Sequence, residues 1–303
     1  MAGLRRGSFA RSNNICLAAT HSFSVAMLTR TAKAWSELMK RLGYNRHVAQ
    51  GGDLGAGVTT HMGRLKPKGL AAIHLNFPLL LPPPIEGEPD ATEKVGLGQL
   101  MRFRGKASGY PRIQKTRPQT LGYGLTDSPI RQVAWIYEKC LELAGDGISG
   151  DDVLSFDDVL DDITLYWLTA TATSSARLYW ESWDKDWGMT KVDIPVGSCI
   201  FLGENYRAPR VWARRVFSNL FYWNELDRGG HFAAHEQPKL FVDEMRACFG
   251  KNQMSAGISR LTSQSATPIS TPPAACKAVK KGSEEQVAAR PFDATRWYAV
   301  YIA

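Results

Sequence analysis

No Cys-x-x-Cys pair occurs in the sequence, and its five cysteines (Cys16, Cys140, Cys199, Cys248, Cys276) are widely scattered. That spacing excludes a disulfide framework and a cysteine-rich zinc site, and it fits a reducing, cytoplasmic compartment. Long apolar runs are missing too. Asn76 and Pro82-Pro83-Pro84 interrupt the most apolar stretch well short of the roughly 18 to 20 residues that a membrane span needs. Acidic residues are absent from residues 1–36, which carry +5, and scarce in residues 251–303, which carry +4. The formal charge of +8 therefore leaves −1 for residues 37–250, where bases and acids are interspersed. A continuous basic stripe, which phosphate binding requires, is lacking, so no nucleic-acid partner is expected. Asp151, Asp152, Asp157, Asp158, Asp161 and Asp162 lack the Asp-x-Asp-x-Asp-Gly register of a calcium loop and read as acid-rich helix starts. No metal and no cofactor is expected.

What is present suffices for one ordinary core, since 44% of the residues are apolar and 10% aromatic. Residues 1–21 read as a disordered basic leader, with an organelle presequence as the alternative. Trp35, Leu38, Met39 and Leu42 recur at helical spacing, and Gly43 stands where a glycine cap ends such a helix. A strand then delivers Asp53, a helix follows over residues 56–65, and residues 69–75 form a short buried strand. Strand, helix and strand within about 30 residues imply a right-handed parallel crossover. Residues 78–95 are rich in Pro, Gly and Glu and mark a boundary, after which helical periodicity holds to about residue 188. One stripe there is Val133, Ile136, Tyr137, Cys140 and Leu141; another is Val159, Ile163 and Trp167. A β-type run returns at 193–202, followed by a helix at 209–217, a strand at 221–226 and a helix at 239–249. From Lys251 the chain is rich in Ser, Thr, Ala, Pro and Lys without periodicity, and disorder is expected, with docking of the mostly apolar residues 297–302 as the alternative.

The stretch Gln50-Gly51-Gly52-Asp53-Leu54-Gly55-Ala56 has the form of a sharp strand-to-helix turn. Such a turn needs small residues two positions either side of its apex, because side chains there collide with the strand and the helix; Gly51 and Gly55 meet that need. The apex residue is pushed into view, and here it is a carboxylate. A carboxylate gains nothing by attacking a carbonyl, whereas attack on a strained or activated sp3 carbon gives an ester that water can cleave. Epoxides and haloalkanes are the two such substrate classes. Cleavage needs a base, and the base needs an orienting acid. His231 follows Gly229-Gly230 after an aromatic-rich strand, and Glu204 stands 27 residues before it, just past the strand ending at Leu202. Nucleophile, acid and histidine then run in the α/β-hydrolase order, each at a strand end. His61 and His235 have no place in that pattern and read as helix-packing or surface residues.

These residues carry a resemblance. Residues 22–250 resemble the epoxide hydrolases of the microsomal type through His47-Val48-Ala49-Gln50-Gly51-Gly52-Asp53, Gly69-Leu70-Ala71-Ala72-Ile73-His74-Leu75-Asn76, Gly122-Tyr123-Gly124-Leu125-Thr126-Asp127-Ser128-Pro129, Ile163-Thr164-Leu165-Tyr166-Trp167-Leu168-Thr169, Ser174-Ser175-Ala176-Arg177-Leu178-Tyr179 and Arg228-Gly229-Gly230-His231-Phe232-Ala233-Ala234. The resemblance implies an α/β class chain: a partial α/β-hydrolase fold, a parallel sheet flanked by helices, with a helical cap inserted. It implies Asp53 as nucleophile, His231 as base and Glu204 as its charge partner. It further implies Tyr110 and Tyr179 as donors to the epoxide oxygen, and the Leu54 N–H as an oxyanion-hole donor. The implied partners are a small-molecule epoxide and water.

On this reading residues 22–82 and 191–250 form the core and residues 83–190 the cap, with 251–303 as the tail. The sequence departs from the family in two places. Leu54 replaces the family's Trp after the nucleophile, and no His-Gly-x-Pro occurs, so the N-terminal strands that carry it are expected to be missing. The strand feeding Asp53 is then expected to keep an unpaired apolar edge, which leaves a homo-oligomer open. Three functions stay open: an epoxide hydrolase acting through an aspartyl ester, a haloalkane dehalogenase, and a non-catalytic truncated homologue or incomplete gene model. The Ser174 to Tyr179 motif argues against the dehalogenase.

Overall fold

In the computed structural model the described residues are 27–85, 87–144, 156–182, 190–255 and 299–302. The basic leader, Asp151, Asp152 and most of the 251–303 tail lie outside them.

Helix α1 (Met27–Arg41) begins well before the expected residue 34, because Leu28 and Ala32 extend the stripe of Trp35 and Met39 by two more turns, all four being buried. Lys40 and Arg41 sit in its last turn, where the helix dipole favours cations, and Gly43 follows with φ +79°. Strand β1 (His47–Gly51) is buried throughout and leads into helix α2 (Asp53–Leu65). Helix α2 starts at Asp53, three residues before the expected start, so the carboxylate stands in the first turn itself. Strand β2 (Leu70–Leu75) then lies parallel to β1, with His47 opposite Leu70 and Gly51 opposite Leu75.

The intervening segment is helical, as its periodicity requires. It comprises α3 (Ala91–Arg102), a π-helical turn (Phe103–Ala107), α4 (Gly109–Thr116), α5 (Pro118–Asp127), α6 (Pro129–Leu143), α7 (Phe156–Leu168) and α8 (Ala172–Ser182). A capping box starts α3: Glu93 N–H donates to the Asp90 carboxylate at 2.8 Å, and Asp90 N–H donates to Glu93 Oε2 at 3.1 Å. The chain then returns to the sheet as β3 (Val196–Phe201), α9 (Arg210–Val216), β4 (Leu220–Leu226), α10 (Ala233–Glu236) and α11 (Pro238–Ser255). Trp212 in α9 donates its indole N–H to Glu93 Oε1 at 2.8 Å, fastening the first inserted helix to the sheet layer.

A short strand β5 (Ala299–Ile302) completes a five-stranded parallel sheet of order β4-β3-β2-β1-β5. It pairs with β1, Val48 standing opposite Ala299 and Gly51 opposite Ile302. The edge expected to be bare is therefore occupied, and the expectation of a wholly disordered tail is corrected at 299–302 and over the end of α11. The physical reason is that a buried strand edge carries N–H and C=O groups that must find partners, and the β-prone Ala-Val-Tyr-Ile run supplies them.

The two-residue period of the strands divides the core. Ala49 and Ile73 face a cluster with Trp35, Val58 and Met62, while their neighbours Val48 and Ala72 face another with Tyr222, Cys248 and Phe249. Helices thus cover both faces, which is why β1 shows no polar alternation.

Candidate active site

Parallel strands bring their carboxyl ends to one edge, and the loops leaving β1, β3 and β4 meet there. Asp53 opens α2 with φ +47°, a left-handed conformation unusual outside glycine, which the tight elbow holds in place. Gly51 makes that elbow feasible: a Cβ there would stand 2.2 Å from the Gly55 carbonyl oxygen. Leu54 lies in the first turn of α2, whose N–H groups have no intrahelical acceptor, and its side chain packs against Leu178 and Tyr179 of α8.

Glu204 follows the end of β3, and the Gly203 N–H donates to the Gly229 carbonyl at 2.9 Å, tying that loop to the one carrying His231. Gly229 adopts φ +83°, and a Cβ there would lie 2.7 Å from the Phe201 ring. His231 Nδ1 is 3.0 Å from each Glu204 oxygen, and its Nε2 is 3.5 Å from Asp53 Oδ2. Glu204 is almost completely buried, His231 nearly so, and Asp53 remains 39% exposed, open to a cavity. Burial alone would lower the His231 pKa, but the charges and hydrogen bonds of Glu204 and Asp53 outweigh it and raise it well above the ordinary imidazole value.

The cavity holds about 410 Å³ and is lined by Asp53, Leu54, Tyr110, Tyr179, Glu204 and His231 together with apolar side chains from both the sheet and the inserted helices. Tyr110 and Tyr179 meet edge to face with ring centroids 6.1 Å apart, and their side chains are hydrogen bonded. Burial, then the negative charge of Asp53, pushes the Tyr110 phenol above its ordinary value; burial and the charges of Tyr110 and Asp53 do the same for Tyr179. Both phenols are thereby kept protonated and able to donate. All six residues singled out in the sequence line this one cavity. His61 instead faces Thr29 of α1 at 3.0 Å, and His235 is exposed on α10. Among the described residues no group of three or more His, Cys, Asp and Glu could hold a metal ion, and no helix is long and apolar enough to cross a membrane.

Other contributors carried no sequence signal. Phe77 packs edge-on against His231 at 5.5 Å. Asn205 N–H donates to Glu204 Oε1 at 2.9 Å. Glu236 accepts the N–H of Phe232 at 2.8 Å and hydrogen bonds the backbone at Gly230, bracing the chain on both sides of His231. Each is a contact between residues whose types are ordinary in loops and cores.

No family model matches the chain. It is 53% identical over 225 residues to a Stigmatella aurantiaca protein that carries the provisional name epoxide hydrolase, covering 73% of this chain and 51% of that one. It is 32% identical over 251 residues to epoxide hydrolase 1 of Sus scrofa, covering 72% of this chain and 54% of the relative. Its fold matches the crystal structure of juvenile hormone epoxide hydrolase from Bombyx mori with a TM-score of 0.70 at 27% identity, covering 79% of this chain and 62% of that chain. The chain spans about half the length of the curated relatives it matches. By sequence and by fold, the chain is a homologue of the epoxide hydrolases and carries part of the α/β-hydrolase fold.

Proposed function

We propose that the chain hydrolyses epoxides to vicinal diols through an ester on Asp53. The observation that carries this reading is the position of His231 between two carboxylates, 3.0 Å from Glu204 and 3.5 Å from Asp53, at the floor of a largely apolar cavity. An Asp53 carboxylate oxygen attacks an epoxide carbon and the C–O bond breaks. Its electron pair goes to the epoxide oxygen, which takes a proton from Tyr110 or Tyr179, leaving a hydroxyalkyl ester. Esterification removes the Asp53 charge, one of the groups that hold the His231 pKa up, so the imidazole is released to act as a base. His231 then takes a proton from a water molecule that attacks the ester carbonyl, and the Leu54 N–H faces the resulting oxyanion. Collapse of that intermediate breaks the ester bond; the leaving alkoxide takes the proton that His231 drew from water, giving the diol, and the proton of the regenerated Asp53 carboxylic acid passes to the tyrosinate, restoring the resting state.

A haloalkane would also alkylate Asp53, but a departing halide needs no proton; two protonated phenols beside Asp53 favour an epoxide, whose oxygen does. The expected result is diol from styrene oxide with the parental chain and none with Asp53→Ala. A parental rate in Asp53→Ala would refute the reading. A folded parental chain without diol would favour a non-catalytic homologue.

A further inference from the structure

Two side-chain amides stand behind the nucleophile turn, outside the cavity. Gln50 of β1 and Asn76, the residue after β2, are almost wholly buried, and neither lines the cavity. Gln50 Nε2 donates to Asn76 Oδ1 at 2.7 Å, while Gln50 Oε1 has no hydrogen-bond partner among the described residues. A buried amide with an oxygen left unpaired costs stability that an aliphatic side chain in the same place would not, so burial alone does not account for the pair. Asn76 touches the turn twice. Its backbone N–H donates to the Gly51 carbonyl at 3.3 Å, and its amide lies against Gly52, where an added Cβ would stand 2.7 Å from Oδ1 and 2.9 Å from Nδ2. Gly52 immediately precedes Asp53, whose left-handed φ of +47° persists only where its surroundings hold it. The neighbours of Asn76 lead to the base. Phe77 packs edge-on against His231 at 5.5 Å, and the Leu75 carbonyl accepts the buried Ser198 hydroxyl of β3, the strand that leads to Glu204, at 2.6 Å.

We propose that Gln50 and Asn76 are positioning residues, a hydrogen-bonded clamp that holds Gly52 and so sets the reach of Asp53 to the epoxide carbon and to His231. Gln50 fixes the plane of the Asn76 amide, the amide fixes Gly52, and Gly52 fixes the direction in which Asp53 leaves the strand. The clamp touches neither the substrate nor the reacting atoms, so it acts on kcat rather than on KM. Its effect on rate rests on the epoxide-hydrolase reading; its effect on geometry does not. Glu204 and Glu236, whose charges also act on His231, stand beyond β3 and β4, so a shift of the elbow reaches the imidazole through Asp53.

Two variants separate a clamp from mere packing. Asn76→Ala removes the amide, whereas Gln50→Met combined with Asn76→Leu replaces both amides by apolar side chains of nearly the same shape and leaves no buried polar group orphaned, which keeps stability close to the parental value. In both, kcat for diol from styrene oxide is expected to fall by about 10- to 100-fold with KM within about two-fold of the parent, as a displacement of about 1 Å at a reacting group implies. The second readout is the titration midpoint of the His231 imidazole by NMR, its signal identified by its loss in His231→Gln. Moving Asp53 away by about 1 Å is expected to lower that midpoint by about half a pH unit or more in both variants. If one variant does not fold, the other carries both readouts. A folded double variant that keeps either the parental kcat or the parental midpoint would overturn the proposal, and so would failure of both variants to fold, which would make the pair purely structural. If the parental chain releases no diol, the hydrolase reading fails on its own and the His231 midpoint alone decides: a fall sustains the clamp, and an unchanged value overturns it.

Discussion

The elbow at Asp53 is testable through a single methyl group. In Gly51→Ala the new Cβ would lie 2.2 Å from the Gly55 carbonyl oxygen, 2.5 Å from the Gly55 carbonyl carbon and 2.5 Å from Thr59 Oγ1. Non-bonded heavy atoms settle near 3.5 Å, so β1 and α2 must part by about 1 Å. Two of the three blocking atoms are backbone and cannot rotate aside. Overpacking a tight site costs about 1 to 3 kcal/mol, and this clash belongs at the upper end, which for a chain of this size lowers Tm by roughly 6 to 12 °C. The same displacement carries Asp53 with it, and a 1 Å misplacement of a reacting group costs about 10²-fold in rate. Gly98→Ala is the control. Gly98 sits in α3 with nothing within 4 Å of the added Cβ, so the substitution raises stability by about 0.5 to 1 kcal/mol through helix propensity. Thermal unfolding by circular dichroism, read beside diol release, measures both effects. A Gly51→Ala chain that melts within about 2 °C of the parent and keeps its rate would refute the close-approach argument.

Two further outcomes concern pH. The raised pKa of His231 means that its pairing stabilises the fold fully below about pH 6.5, the unfolded-state value, and that this contribution is lost as pH rises through the folded-state value. In Glu204→Gln the decline of unfolding free energy above pH 6.5 becomes shallower in urea titrations, and the pH at half-maximal diol release falls; an unchanged slope would count against the pairing. His74 behaves in the opposite way. It is fully buried in β2 with no hydrogen-bond partner on either ring nitrogen, and burial lowers its pKa to about 3. Between pH 6.5 and about 3 the unfolded chain therefore binds the extra proton, so stability is lost as pH falls through that window. His74→Leu removes this share of the acid sensitivity, visible as a smaller drop in urea midpoint between pH 7 and pH 4.5; the same drop in both chains would refute it.

Much of the architecture was legible because side-chain period reports burial. The stripe of Trp35 and Met39, the apolar runs of β1, β2 and β3, and the helical stripes between residues 96 and 182 all became the elements their spacing implied. Errors arose where the backbone rather than the side chains decided. Helix α2 begins at Asp53 because the elbow passes from strand to helix through Gly52 alone, which leaves no loop for a sequence pattern to reveal. The partner of β1 came from more than 240 residues away in the chain, in a four-residue run too short to show a period.

By itself, the sequence determined the chemistry on offer: a carboxylate at a glycine-bounded turn, then an acid and a histidine in hydrolase order, with tyrosines in a helical insertion. Only the tertiary structure decided that these meet. Parallel strands must place all their carboxyl ends on one edge, so residues 53, 204 and 231, far apart in the chain, come within hydrogen-bonding reach. It also decided what the residue types leave open: which phenols are buried beside Asp53, and that Glu236 braces the histidine loop. Those outcomes depend on the angle at which helices cross and on one π-helical turn, and local sequence pattern carries little information about either.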